Sequence, residues 1–122
     1  MGIYKKAFGS AGEDEAERVL RRDGYTIVLR NYRCRYGEID IIAKDRDTIV
    51  FVEVKTRGGD SFGTPKCGVD SRKKRHIVHA AQSYLQENGI VDCLVRFDVV
   101  SIERGGGGYV CEVVKDAFGE DS

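Results

Sequence analysis

Apolar residues recur along the chain at two spacings, and the alternation between them lays out its elements. In residues 12–23, Ala16, Val19 and Leu20 fall at helical spacing. Glu13 and Asp14 favour a helix start and Gly24 a stop, so an amphipathic helix is predicted. Residues 25–32, 38–43 and 48–55 are rich in β-branched and aromatic residues and read as strands. Only the polar stretch Lys44, Asp45, Arg46 and Asp47 separates the last two, which predicts an antiparallel hairpin. Residues 58–65 hold the single proline, Pro65, and read as a loop. Ile77, Ala80, Ala81, Tyr84 and Leu85 then mark one face of a second helix over residues 71–87. Strands at 94–102 and 109–114 follow, parted by the four glycines Gly105 to Gly108. These glycines open no helix and end in no Lys-Ser/Thr pair, so they suit a hairpin loop and no phosphate cradle. The order helix, three strands, helix, two strands predicts an α/β fold with a mixed sheet and helices packed on it.

The central strands carry charges that a purely structural sheet does not need. A period of two in residues 48–55 puts Val50, Val52 and Val54 on one face and Ile49, Phe51, Glu53 and Lys55 on the other. The same rule groups Glu38, Asp40 and Ile42, and the hairpin brings Asp40 beside Glu53. Charges within an apolar run cost desolvation energy unless they are paired or bind an ion. A hard divalent cation is one reason for them. Mg²⁺ takes a few carboxylate oxygens and keeps waters, and Asp40, Glu53 and the backbone carbonyl of Val54 suit it. Lys55 is placed to orient a water or to stabilise charge developing on phosphorus. The alternative is a structural ion pair of Lys55 with Glu53 or Asp40.

Composition narrows the classes. The 122 residues fit one domain, 1–122, and 20 basic residues balance 20 acidic ones. That balance excludes a protein that coats nucleic acid by bulk charge, but the distribution is uneven. Lys66, Arg72, Lys73, Lys74 and Arg75 with His76 make the middle basic, and the last third is acidic. A basic run is either a phosphate-binding patch or a solvated helix start. No window is apolar for long enough to span a membrane, and residues 1–10 lack a signal-peptide core, so a cytoplasmic protein is expected. Cys34, Cys67, Cys93 and Cys111 are far apart, without a CxxC pair, and are expected to be free thiols.

Asp40 followed by Glu53-Val54-Lys55 at the end of an apolar strand resembles the D…ExK signature of the PD-(D/E)xK, restriction-endonuclease-like nucleases. More closely, Gly12-Glu13, Asn31, Gly37-Glu38-Ile39-Asp40, the run from Phe51 to Arg57, Lys73 and Arg96-Phe97-Asp98 resemble the YraN family, and the likeness covers nearly the whole chain. The resemblance implies an αβββαβ core related to archaeal Holliday-junction resolvases. It also implies a DNA endonuclease dependent on Mg²⁺ or Mn²⁺, acting on branched or single-stranded substrates. Asp40 and Glu53 carry over as metal ligands, Lys55 as the catalytic lysine, and Glu13 as an acid joining the site from the first helix. Without the resemblance, Glu13 reads as a charge favoured near a helix N-terminus. Lys73 matches a lysine of the family, and Arg57, Lys66, Arg72, Lys73, Lys74 and Arg75 are the candidate nucleic-acid contacts. By analogy with resolvases, whose substrate is symmetric, a homodimer is implied. Two departures stand out. Cys67-Gly68 stands where relatives carry a glutamate, and the glutamine-tyrosine helix motif of RecB-like nucleases is absent.

Smaller features stay open. His76 and His79 are one helical turn apart, which suits a metal in principle and surface or nucleic-acid contacts more often. Tyr32, Arg33, Arg35 and Tyr36 interleave rings and cations, a pattern that stacks on bases or simply ends a strand. Asp98 alternates with apolar neighbours and is expected to pair with Arg96. Beside the nuclease stand a non-catalytic nucleic-acid-binding module with the same fold and a structural dimer domain.

Overall fold

The strand of highest apolar content lies at the centre of the molecule. The computed structural model describes residues 2–57, 70–105 and 107–119, with side chains from residue 11 onward except at position 57. The predicted loop at 58–65, Lys66 and Cys67 fall outside the described residues. The elements are α1 (Gly2–Arg22), β1 (Thr26–Cys34), β2 (Gly37–Asp45), β3 (Thr48–Arg57), α2 (Ser71–Glu87), β4 (Leu94–Gly105) and β5 (Gly108–Phe118). They form an α/β fold with a mixed five-stranded sheet in the order β1-β2-β3-β4-β5, compatible with an αβββαβ core. The pairs are antiparallel except β3 with β4, which run parallel from Thr48↔Leu94 to Arg57↔Glu103. A parallel neighbour needs a crossover, and α2 lies within it.

Each helix covers one face of the sheet. Ala16 and Leu20 of α1 pack with Tyr25, Ile41, Ala43, Val50, Val52, Val100 and Ile102. Ile77, Ala80 and Ala81 of α2 pack with Ile39, Ile42, Ile49, Phe51, Phe97, Val99 and Phe118. The alternation read from residues 48–55 therefore holds in β3, with Val50 and Val52 toward α1 and Phe51 toward α2. No helix among the described residues is long and apolar enough to cross a membrane.

The fold departs from the sequence reading in two places, and both bear on the acidic residues. First, α1 begins at Gly2 and not near residue 12. Glycine inside a helix costs ~1 kcal/mol relative to alanine without terminating it, so Gly9 and Gly12 are carried through. Second, alternation breaks in β1 and β2. Ile41 belongs to the α1 side and Ile39, two residues away, to the α2 side. In β1, Arg30 reaches acidic residues of α1 while Tyr32 packs toward α2. Between the pairs Arg30↔Ile41 and Tyr32↔Ile39 lies Asn31, whose φ of 57° is left-handed. Asparagine tolerates that region better than most residues, and one such residue turns a strand over. Asp40, opposite Asn31, sits where β2 changes face, so Glu38, Asp40 and Ile42 do not line one surface as expected.

Candidate functional site

Beyond Ile41↔Val52 the β2–β3 ladder ends, and the Asp40 side chain takes over. The Val54 amide donates to Asp40 Oδ2 at 2.8 Å. A carboxylate thus occupies the place a strand carbonyl would take, held in the sheet by the face change at Asn31 and Asp40. Glu53, one residue earlier on β3, is buried. Its carboxyl lies close enough to act on that of Asp40. Burial first and the Glu53 charge second push the Asp40 carboxyl up to about 8, against the opposing effect of the Val54 amide, and Glu13 adds to the rise. One buried acid, one half-buried acid and a third nearby gather at the carboxyl end of β3.

One cation answers part of that charge. The Lys73 ammonium, in the first turn of α2, forms an ion pair with Glu53 Oε2. Burial works against the Lys73 charge, but Glu53 outweighs it and leaves the lysine pKa raised. The start of α2 is fixed by Asp70, the N-cap, whose side chain accepts from the Lys73 amide at 2.8 Å. That bond first, and the charge of Lys55 among lesser causes, hold the Asp70 carboxyl below its usual range. Lys55 is half-buried on β3, and among the described residues it makes no ion pair with Asp40 or Glu53. The structural ion pair considered for Lys55 is therefore made by Lys73.

Glu13 enters from α1. It lies eleven residues past the first residue of that helix, so the preference of acids for a helix N-terminus does not account for it. Arg30 of β1 holds it instead. This guanidinium contacts Asp14 at 2.7 Å, Glu17 at 3.2 Å and Glu13 Oε1 at 3.4 Å. Gly12 lets α1 come this near, because a Cβ built there would lie 2.6 Å from Thr56 Oγ1 of β3. Arg30, Asn31 and Thr56 thus support the site, and a period-two reading gives no signal for the first two, since it places every second residue of β1 on the same face.

Several predicted residues lie elsewhere. Glu38 is exposed on the strand pair and bound by its neighbour Arg33 at 3.1 Å. Arg72 and Arg75 are exposed on α2, and Lys74 is half-buried with its ammonium 5.9 Å from the Phe118 ring centroid. The side chain of Arg57 and all of Lys66 lie outside the described residues. Among the described residues no three His, Cys, Asp or Glu side chains close into a metal cage. Mg²⁺ does not require one, since it keeps several waters and binds through one or two carboxylates. The half-buried Asp40 and the buried Glu53 beside it fit it by chemistry and charge, with the Val54 carbonyl as the further oxygen suggested by sequence.

A second polar cluster lies on the α1 face. Asp98 is fully buried and accepts from Tyr25 Oη at 2.7 Å, from Arg96 at 2.9 Å, and from the Asp116 amide at 2.9 Å. Arg96 also reaches Asp45 at 2.9 Å. The pairing of Asp98 with Arg96 expected from sequence is present. Asp98 is met by a guanidinium, whereas among the described residues no cation forms an ion pair with Asp40.

The fold and this site define an α/β protein with an acidic pair, one member buried and the other half-buried, at the carboxyl end of its central strand. The sequence profile of the uncharacterised protein family UPF0102 matches residues 12–102, and the chain belongs to that family, the one reached above through the YraN resemblance. It is 44% identical to a UPF0102 protein of Desulforapulum autotrophicum over 99% of this chain and all of the relative. It is 46% identical to one of Geobacter metallireducens over 97% of each chain. A third, from Persephonella marina, is 49% identical over 77% of this chain and 81% of its own length.

Proposed function

We propose that this chain is a divalent-metal-dependent nuclease that hydrolyses phosphodiester bonds in DNA, with Asp40, Glu53, Lys55 and Glu13 at its centre. The observation that carries the reading is the Asp40–Glu53 pair. Glu53 is buried and Asp40 is half-buried beside it, held by a strand amide, and gathering two acids there costs free energy unless a cation joins them. A Mg²⁺ or Mn²⁺ ion, when bound, supplies charge stabilisation at the scissile phosphate and lowers the pKa of a water. Asp40 and Glu53 are the ligands this chain offers, with the Val54 carbonyl beside them. Asp40 must lose its proton to serve, and Val54 keeps the freed carboxylate in place. Lys55, on the same strand, orients the attacking water or meets negative charge developing on phosphorus. Glu13, positioned by Arg30, adds a third acid from α1. Arg57, Lys66, Arg72, Lys74 and Arg75 contact the phosphate backbone, and a homodimer suits a branched substrate.

A second reading has an observation of its own. Lys73 already meets the charge of Glu53, as it would in a domain that keeps the fold to bind nucleic acid without cutting it. One experiment separates the two. Single-stranded, duplex, flap and four-way-junction DNA are incubated with Mg²⁺ or Mn²⁺ and the wild-type chain, Asp40→Ala, Glu53→Ala or Lys55→Ala. The nuclease reading expects cleavage by the wild type alone. Binding without cleavage on every substrate favours the binding module, and wild-type cleavage that survives all three substitutions overturns the assigned centre.

A further inference from the structure

Four residues that sequence alone left as one interleaved motif divide in the structure. Tyr32 turns inward, its ring edge-on to Tyr84 at 5.3 Å and its hydroxyl on Glu87 at 2.8 Å. Arg33 is taken by Glu38. The other two stay at the surface. The Tyr36 ring, 42% exposed, lies 5.5 Å from the His79 ring at an interplanar angle of 28°, and the Arg35 guanidinium sits 5.3 Å from the Tyr36 centroid. Arg35, Tyr36 and His79 thus form a short exposed stack joining the β1–β2 turn to α2. The turn presses onto that helix elsewhere too, since a Cβ at Gly37 would lie 3.5 Å from His76 Cβ.

We infer that this stack is a platform for an unpaired nucleobase of the nucleic acid cut at the Asp40–Glu53 site, an inference that rests on the nuclease reading. Three features point this way. A planar stack ending in a guanidinium is the surface on which bases stack irrespective of their identity. Position agrees, because Tyr36, in the turn just before β2, is four residues from Asp40, at most about 13 Å at strand rise, and His79 is six residues from Lys73 along α2, about 9 Å. At about 3.4 Å per stacked base, about three to four nucleotides cover that span. Arg72 and Arg75 are exposed on the same stretch of α2 and supply cations along the path. In a duplex the base faces are stacked on one another and offer nothing to an aromatic ring. The platform therefore selects substrates with unpaired nucleotides and leaves the ends and grooves of duplex DNA to backbone contacts.

The test is equilibrium binding of the full chain to a labelled single strand of about 20 nucleotides, longer than one stacking groove needs, and to the matching blunt duplex, with EDTA present so that nothing is cut. Tyr36→Leu is expected to weaken single-strand binding about 5- to 100-fold, the loss of one base stack. His79→Ala should weaken it less, Tyr36→Phe should match the wild type, and the duplex should bind all of them alike. Equal losses on both DNAs, or no loss, overturn the platform while wild-type binding keeps the nucleic-acid reading. A wild type that binds neither DNA overturns both. If Tyr36→Leu proves unfolded in a thermal melt, exposed His79→Ala carries the comparison under the same criteria.

Discussion

The Lys73 ammonium is the one described cation in ion-pair contact with Glu53, and it comes from within the β3–β4 crossover, so that only the return of α2 over the sheet brings the two together. Glu53 is nearly inaccessible while Lys73 is half-exposed, so the pair is a buried acid served by a side chain that can swing out. On the proposed reading, Lys73 would compete with a metal ion for the same oxygens. Lys73→Met should lower the stability of the metal-free protein by about 1–3 kcal/mol, because a buried charge is left beside Asp40 without a partner. It should also tighten Mn²⁺ binding about 5- to 30-fold, the result of removing a competitor worth about 1–2 kcal/mol. Calorimetric titration with Mn²⁺ beside urea unfolding in EDTA measures both, and weaker Mn²⁺ binding in the variant would assign Lys73 to holding the site open.

Asp40 gives the site a pH signature. Its carboxyl is raised in the folded protein from the ordinary value of 3.8 to about 8, mainly through burial and then through Glu53. A raised acid contributes stability at low pH that is lost as pH climbs through the folded value, because the folded state then carries a charge it disfavours. Lys73, Glu53 and Glu13 face the same carboxyl and remain in the variant. In EDTA, Asp40→Asn should match the wild type near pH 4 and exceed it by ~2–4 kcal/mol at pH 8. The asparagine oxygen still accepts from Val54, so the amide bond is not the variable. Adding Mn²⁺ at pH 8 should raise the melting temperature of the wild type and leave the variant unmoved. A flat difference across pH would mean that Asp40 stays ionised throughout.

Much of this arrangement is legible in the amino-acid order. The strand at 48–55 announces itself by alternation, and the short polar turn after Ala43 sets a hairpin register that points Asp40 toward Glu53. The helix at 71–87 shows its buried face through Ile77, Ala80 and Ala81. Alternation fails only where the backbone leaves ordinary strand geometry. One left-handed residue, Asn31, sends Arg30 to α1 and Tyr32 to α2, and no side-chain pattern encodes that reversal. The role of Lys73 is hidden for another reason. A lysine within Arg72-Lys73-Lys74-Arg75 looks like its neighbours, and only the phase of α2 over the sheet decides which of the four turns inward.

Asp98 shows what a charge in the sheet looks like when it serves structure. Like Asp40, it accepts a strand amide where pairing is irregular, between Phe97 and Val99 of β4, opposite the left-handed Asp116. Unlike Asp40, it also holds a guanidinium and a tyrosine hydroxyl. Burial first and Asp98 second push the Tyr25 hydroxyl pKa upward, so that group stays a donor. Asp98→Ala deprives Arg96, Tyr25 and the Asp116 amide of their shared acceptor and should cost ~3–5 kcal/mol. Tyr25→Phe removes one hydrogen bond and should cost about 1 kcal/mol. Mn²⁺ affinity measured on the folded Tyr25→Phe protein should equal that of the wild type, because this cluster and Glu53 lie on opposite faces of the sheet.

Gly12 carries the contact on which the placement of Glu13 depends. On helix propensity alone, Gly12→Ala would stabilise α1 by ~1 kcal/mol. The structure predicts the opposite sign. The added Cβ would meet Thr56 Oγ1 at 2.6 Å, and a threonine in a strand has little rotamer freedom with which to retreat. Gly12→Ala should therefore destabilise by ~1–3 kcal/mol, as overpacking does, with α1 displaced from β3. Thr56→Ala removes the obstructing oxygen, and the double variant should recover most of the loss, so the two changes are strongly non-additive in urea unfolding. Displacing α1 also moves Glu13 away from Asp40, and the single variant should bind Mn²⁺ more weakly than the double. Additive effects in the cycle would mean that the approach of α1 to β3 is not what requires glycine at this position.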